Sequence, residues 1–324
     1  MTSDHHHHDH AHDHDHGHGH DDGHAHGYGH GHAPADFGHA FAIGALLNIL
    51  FVAVEAAYGV IGHSMALLAD AGHNLSDVLA LLMAWGANSL GRRQPTPRFT
   101  YGLGGSSILA ALFNAIVLLI AVGGIATEAV RRFATPEAPD TTTMMVVAGI
   151  GIAINGFTAF LFARGAKGDL NIRGAFLHML ADAGISAAVV VAGLGILLTG
   201  WLWLDPALSL LVAAVIVRGT WGLLRDSVAL SLDAVPAGID PVAVRHHLES
   251  LDGVDRIHDL HIWAMSTRET ALTCHLVMPA GYPGDGFTMR VAAELKQRWN
   301  IGHATLQIET GGDTECALAP ENVV

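Results

Sequence analysis

The chain has 324 residues, of which 51% are hydrophobic and 14% charged, and its formal net charge is −14 at pH 7. Soluble domains carry about 25% charged residues, so this composition excludes a chain made only of such domains. Two cysteines are too few to indicate a disulfide framework.

Residues 1–36 consist largely of His, Asp and Gly and hold 14 of the 24 histidines. The segment has little apolar surface to bury, so we expect a disordered, His-rich cytoplasmic arm. An expression tag is one interpretation, although Asp and Gly interrupt the histidines. The other is a low-specificity metal collector, because imidazole and carboxylate both bind Zn²⁺. Its candidate ligands are His5, His6, His7, His8, His10, His12, His14, His16, His18 and His20.

Residues 37–232 contain six apolar stretches, each about as long as the roughly 20 residues that a helix needs to cross a bilayer. They predict a six-transmembrane-helix bundle. The stretches are residues 38–61, 65–90, 105–128, 141–162, 175–199 and 201–224.

Basic residues in the short loops set the expected orientation, because Lys and Arg are retained on the cytoplasmic side. One side carries Arg92, Arg93, Arg98, Arg164, Lys167, Arg173, Arg218 and Arg225. The other side has only Arg131 and Arg132, followed by acidic residues. With six spans, both termini are expected in the cytoplasm.

Residues 233–313 predict a small soluble domain, followed by a tail at 314–324. Helical periodicity occurs at 241–251 and 289–299, and strand-like alternation at 257–263, 270–277 and 304–309. The order αββαβ indicates a two-layer α+β domain on the cytoplasmic side.

Ionisable groups inside membrane helices are costly and tend to mark ion pathways. His73 and Asp77 are four residues apart in the second stretch, as are His178 and Asp182 in the fifth. Each pair therefore lies on one helix face, and two such faces could supply a tetrahedral Zn²⁺ site. The alternative is that each His is the structural hydrogen-bonding partner of its own Asp.

Other polar residues in the spans have a weaker interpretation. Asp70 is a candidate for metal access or proton exchange. Glu55, Asn48, Asn74, Asn114 and Asn155 are expected to make interhelical hydrogen bonds, with support of the metal ligands as the alternative.

Four motifs make the chain resemble the cation diffusion facilitator family, in its zinc-transporting branch. They are GHSMALLADAGHNLSD at 62–77, HMLADAG at 178–184, HDLHIW at 258–263 and HATLQIE at 303–309. The resemblance implies a homodimer that exchanges Zn²⁺ for protons and has a ferredoxin-like cytoplasmic domain. It also implies metal ligands in that domain at His258, His275 and Glu309, with Cys316 as a further candidate.

The chain departs from the family pattern in two places: the loop at 91–102 has no His, and residues 104–107 lack the usual charged start of the third helix. We therefore expect no metal site in that loop. His261 and His303 are interpreted as packing residues, and His246 and His247 as an exposed helix face.

The expected function is export of Zn²⁺, with Cd²⁺, Co²⁺ or Ni²⁺ as further substrates, by alternating access at the His₂Asp₂ site. A membrane-anchored zinc sensor or buffer is the alternative. The chain has neither HExxH nor GxxxxGK(S/T), which disfavours a metalloprotease and an ATP-driven pump. We expect no organic cofactor and no nucleic-acid partner, and location in a bacterial inner membrane.

Overall fold

The computed structural model describes residues 39–163, 170–311 and 316–320. The predicted His-rich arm and most of the predicted tail thus lie outside the described residues. Six long helices come first in the chain: α1 (His39–Ile61), α2 (Met65–Gly91), α3 (Ser106–Ala134), α4 (Thr141–Ala163), α5 (Leu170–Thr199) and α6 (Leu204–Ser231).

Four of these helices contain a segment long and apolar enough to cross a membrane: Ser106–Ala134, Thr141–Leu161, Phe176–Thr199 and Leu204–Ser231. A shorter apolar stretch, Asn48–Ile61, lies in α1. Helices α3 and α6 run beyond the predicted ends at 128 and 224. The prediction stopped where charged residues begin, whereas a helix can continue into the interfacial region, where its polar side chains meet water.

A buried carboxylate joins the beginning of α2 to α6. Asp205 accepts hydrogen bonds from the backbone N–H of Met65 at 2.8 Å and of Ala66 at 3.1 Å, and from Ser64 Oγ at 2.7 Å. These amides are at the helix N-terminus, where they lack intrahelical partners and where negative charge is favourable. Arg132, at the end of α3, lies 4.0 Å from Asp205, so three helices meet at this point.

Helix α2 lies between two packing groups. Leu67 packs with Phe51 of α1, Met144 of α4 and Val189 of α5. On another face of α2, Ala69 packs with apolar residues of α3 and α6. Helix α5 contacts α4 far more extensively than it contacts α2, so the α2–α5 boundary is a sparse one.

Gly151 of α4 permits a close approach of three helices. A Cβ atom there would lie 2.7 Å from Phe51 Cζ and 3.0 Å from Ser186 Oγ. Real Cβ contacts are almost never so short, so a side chain would push α4 away from α1 and α5.

The C-terminal domain consists of α7 (Pro241–Glu249), β1 (Arg256–Ala264), β2 (Thr270–Val277), α8 (Asp285–Trp299) and β3 (Ile301–Glu309), in the predicted order. The sheet order is β1-β2-β3, with β1 antiparallel and β3 parallel to β2. Its core contains the fully buried Leu248, Leu272, Leu276, Val291 and Leu295.

Helix α8 and strand β3 follow each other without a loop. Asn300 adopts the left-handed conformation, with φ 57°, and ends the helix directly before Ile301. Asn tolerates this conformation better than most residues. The prediction began β3 at residue 304, whereas the strand begins at Ile301.

The segment before α3 contacts the β1–β2 hairpin of the C-terminal domain. Ser107 Oγ accepts a hydrogen bond from the Thr267 N–H at 3.0 Å. A Cβ on Gly104 would lie 3.2 Å from the Met265 carbonyl oxygen, so the absence of a side chain allows the hairpin to approach. The rings of Tyr101 and His303 meet edge to face at 5.6 Å.

Candidate metal centres

The two predicted His–Asp pairs face each other across the α2–α5 boundary. His73 Nε2 lies 3.2 Å from Asp182 Oδ1, and His178 Nε2 lies 3.1 Å from Asp77 Oδ2. His178 Nε2 is also 3.7 Å from Asp182 Oδ2. The shortest contact of each imidazole is therefore with the carboxylate of the other helix, so the two pairs are not self-contained.

These spacings suit a tetrahedral ion. Four ligands at about 2.1 Å from a Zn²⁺ ion are about 3.4 Å from one another, close to the separations of 3.1–3.7 Å found here. His73, Asp77 and Asp182 can each direct one ligand atom to within 4.8 Å of the other two, whereas His178 is outside this group and contacts the two carboxylates alone. Two carboxylates supply the charge that a divalent cation requires.

The four side chains differ in exposure. Asp182 is 1% exposed and His73 18%, whereas Asp77 is 33% and His178 39% exposed. Asp77 Oδ2 and Asp182 Oδ2 are buried atoms that both face His178 Nε2, at 3.1 Å and 3.7 Å. The site therefore has a closed side and an open side, with acceptor oxygens available to an incoming cation.

A second cluster lies on the sheet of the C-terminal domain. His258 on β1 pairs directly with His275 on β2, and Glu309 lies at the end of the neighbouring β3. His275 Nδ1 is 2.9 Å from Glu309 Oε1 and 3.2 Å from His258 Nε2. Cys316 Sγ is 3.7 Å from His275 Nδ1, and all four residues can direct a ligand atom into one space.

Glu309 is adapted to remain ionised in this cluster. Burial opposes the charge, but hydrogen bonds from Cys316 and Gln307 and the nearby imidazoles of His258 and His275 hold the pKa of Glu309 below its usual value. An ionised carboxylate, two imidazoles and a thiol form a donor set that Zn²⁺ prefers.

Comparison with known proteins finds two family models, one for each part of the chain. Residues 41–230 match the model of the cation efflux transmembrane domain, and residues 236–311 match that of the cation efflux protein cytoplasmic domain. The chain belongs to the cation efflux family. It is therefore an integral membrane protein of a transporter family and not an enzyme.

Several curated relatives are similar to this cation efflux protein over most of their length. The cadmium, cobalt and zinc/H(+)-K(+) antiporter of Bacillus subtilis is 33% identical over 287 residues, 84% of this chain and 92% of the relative. Zinc transporter ZitB of Escherichia coli is 36% identical over 261 residues, covering 80% and 83%. The metal cation efflux system protein CzcD of Cupriavidus metallidurans is 34% identical over 280 residues, covering 85% and 88%.

Asp259 is a site residue of this cation efflux protein that the sequence did not single out. It interrupts β1 with φ 52°, at an irregularity in the pairing between His258 and His261. Its carboxylate lies 3.3 Å from His275 Nε2 and 2.9 Å from His261 Nε2. A carboxylate on one ring nitrogen orients a histidine whose other nitrogen faces a metal site, so Asp259 positions His275.

The remaining predicted site residues are distributed as follows. The arm histidines, from His5 to His20, lie outside the described residues. His261 contacts Asp259, and His247 lies 3.1 Å from Glu294 of α8. His247 is only 10% exposed, so the prediction of an exposed helix face is wrong for this residue, which packs between α7 and α8.

Proposed function

We propose that this protein exports Zn²⁺ from the cytoplasm in exchange for protons. The ion would be held by His73, Asp77, His178 and Asp182. The observation that carries this proposal is the crossed contact of two imidazoles with two carboxylates across the α2–α5 boundary, at 3.1–3.7 Å. The printed names of the relatives, a zinc transporter and a zinc/H(+)-K(+) antiporter, support the same substrates.

Proton exchange follows from the chemistry of the ligands. Histidine binds a metal only in its neutral form, so protons and Zn²⁺ compete for the same imidazole nitrogens. A high proton concentration on the outer side would displace the ion, and a lower one in the cytoplasm would allow it to bind.

Alternating access follows from the packing. The ligands are divided between α2 and α5, and α5 packs chiefly against α4. Movement of α4 and α5 together relative to α2 would change the ligand separations and open the site to the other side. A sensor or buffer has no need of ligands divided in this way, which favours transport over the alternative.

We infer that all six long helices span the membrane and that both termini are cytoplasmic. The opposite side has few basic residues, and there Arg131 lies 2.9 Å from Glu128 while Arg132 lies 3.3 Å from Glu137. The orientation is supported by the number of Lys and Arg residues in the short loops, which is smaller on that side, as the positive-inside rule requires. The bacterial relatives support a location in a bacterial inner membrane.

We further propose that the C-terminal domain is ferredoxin-like, mediates homodimerisation and binds Zn²⁺ at His258, His275, Glu309 and Cys316. The element order αββαβ and the mutual reach of four ligand atoms support this proposal. Its match to the cation efflux cytoplasmic domain model supports a role as a dimerisation domain.

The test is Zn²⁺ flux into proteoliposomes with and without an imposed pH gradient. We expect Asp182→Asn to lower the initial rate at least about tenfold, because even the loss of an outer-shell partner reduces metal affinity 10–100-fold. Asp226→Asn is the matched control, since Asp226 is an exposed acid at the end of α6. Wild-type binding of Zn²⁺ without gradient-dependent flux would instead favour the sensor or buffer.

A further inference from the structure

A second group of polar side chains lies one helical turn from the proposed transport site. It consists of Glu55 on α1, Asp70 and Asn74 on α2, and Ser186 on α5. Glu55, Asp70 and Ser186 are 0% exposed and Asn74 is 1% exposed. Asp70 precedes His73 by one turn, and Ser186 follows Asp182 by one turn.

This polar group has fewer hydrogen-bond donors than acceptors. Asn74 Nδ2 donates to Glu55 Oε2 at 3.1 Å, and Ser186 Oγ donates to Asp70 Oδ2 at 2.8 Å. The other oxygens, Glu55 Oε1, Asp70 Oδ1 and Asn74 Oδ1, are buried without a donor among the described residues. Asn74, which is bonded to Glu55, follows Asp70 by one turn on the same face of α2, so the two carboxyls belong to one buried group. A buried acceptor without a donor is costly, so the group requires at least one additional hydrogen.

Within residues 39–163, 170–311 and 316–320, no Lys or Arg side chain pairs with Glu55 or Asp70. The other titratable side chains that act on the two carboxyls are Asp182 and His73. Helix α4 has no ionisable residue from Thr141 to Ala163. The basic residues at the end of α3 pair with Glu128, Glu137 and Asp205, and Arg218 of α6 is exposed. Two adjacent buried carboxylates of like charge are strongly disfavoured under these conditions.

We propose that Glu55 and Asp70 share one proton and that this carboxyl pair is a proton-binding site of the exchange, separate from the four proposed metal ligands. The shared proton supplies the missing donor, because one carboxyl can then donate to the other. Among the described residues, no hydrogen bond or ion pair joins either carboxyl to His73, Asp77, His178 or Asp182. The inference rests on the proposed function.

The carboxyl pair would lose its proton when the metal binds and regain it when the metal leaves. A divalent cation one turn away favours the ionised form, so the carboxyl O–H bond breaks, its electrons stay on oxygen and the proton leaves to water. When the cation leaves, the pair takes up a proton from water. Each cycle would thus move one proton through the pair in addition to any carried by the histidines.

The test counts the protons released when purified full-length protein in nanodiscs binds Zn²⁺. Titration calorimetry in two buffers of different ionisation enthalpy gives this number. We expect Glu55→Gln to release about one proton fewer per Zn²⁺ than the wild type, because the coupled pair holds one shared proton. Glu128→Gln is the matched control, since Glu128 lies on the exposed end of α3.

An unchanged number of protons released by a Glu55→Gln protein that still transports Zn²⁺ would overturn the proposed proton-sharing pair. The proposed transport function would stand. Absence of proton-coupled Zn²⁺ flux in the wild type would overturn the proposed function as well. If the Glu55→Gln substitution prevents folding, infrared difference spectroscopy of the wild type tests whether a carboxyl group is protonated in the absence of Zn²⁺. A protonated-carboxyl band that disappears on Zn²⁺ addition is expected, and its absence would overturn the proposal.

Discussion

The two candidate metal centres of this protein are built on different kinds of scaffold. The proposed ligands at the membrane site lie on two helices that share few contacts, and two of the four side chains are about one third exposed or more. Three of the four proposed ligands in the C-terminal domain lie on three hydrogen-bonded strands, where His258 and His275 are buried in fixed register. The helices can change their separation without breaking backbone hydrogen bonds, whereas the strands cannot. The first arrangement suits binding and release, and the second suits retention.

The largest expected effect separates the two centres. The double substitution His73→Ala and His178→Ala should lower Zn²⁺ flux about a thousandfold or more, because each loss exceeds the 10–100-fold cost of losing an outer-shell partner. Zn²⁺ in the C-terminal domain should remain bound, so equilibrium dialysis should show a loss of one Zn²⁺ per chain relative to the wild type.

The exposed His246 provides the control, since His246→Ala removes an imidazole that belongs to neither proposed ligand set. Loss of all bound Zn²⁺ in the double variant would contradict the independence of the two sites.

The next effect distinguishes the two cysteines. Burial raises the pKa of the Cys274 thiol to about 12, so the thiol stays protonated at pH 8 and should resist alkylation in the folded protein. Cys316 is partly exposed and should react at least about a hundredfold faster.

Zn²⁺ should protect Cys316 from alkylation if its sulfur is a ligand, and mass spectrometry of the alkylated peptides measures both rates. Equal alkylation of Cys316 with and without Zn²⁺, in protein that retains C-terminal Zn²⁺, would remove Cys316 from the ligand set. Cys316→Ser provides the matched reference for labelling at Cys274 alone.

The smallest expected effect concerns the packing beside the membrane site. Gly151→Ala should destabilise the helical domain by about 1–3 kcal/mol, the usual cost of overpacking, because its Cβ would meet Phe51 and Ser186. Gly149→Ala is matched on the same helix, with no atom within 4 Å of its Cβ, and should be neutral or stabilising.

Thermal unfolding followed by tryptophan fluorescence and by circular dichroism measures this difference. The C-terminal domain has its own core and should keep its transition in both variants. Equal stability of the two glycine variants would show that α4 adjusts without cost.

Local periodicity was sufficient for the features that depend on one element. The i, i+4 spacing placed His73 with Asp77 and His178 with Asp182, and alternation located β2 at its observed limits, Thr270–Val277. Periodicity could not predict features that depend on how two elements pack against each other. The crossed contacts between α2 and α5 depend on how the helices are packed, which one periodic pattern does not specify.

Asp259 and Glu55 illustrate why the remaining features were missed. Asp259 contacts His275 only because β1 is irregular at that point, and the HDLH motif alone indicates a regular alternation. Glu55 was interpreted as a hydrogen-bonding residue, which agrees with its bond to Asn74. Its proximity to Asp70 on another helix is a tertiary contact that sequence spacing does not reveal.

The contact between the β1–β2 hairpin and the segment before α3 has a mechanical consequence. The hairpin backbone is hydrogen-bonded to Ser107 and packed against Gly104, so the C-terminal domain is mechanically coupled to the first turn of α3. Any rotation of the C-terminal domain must either turn that end of α3 or break the contact. Because α3 packs against α2, a rotation of α3 would also displace the helix that carries His73 and Asp77.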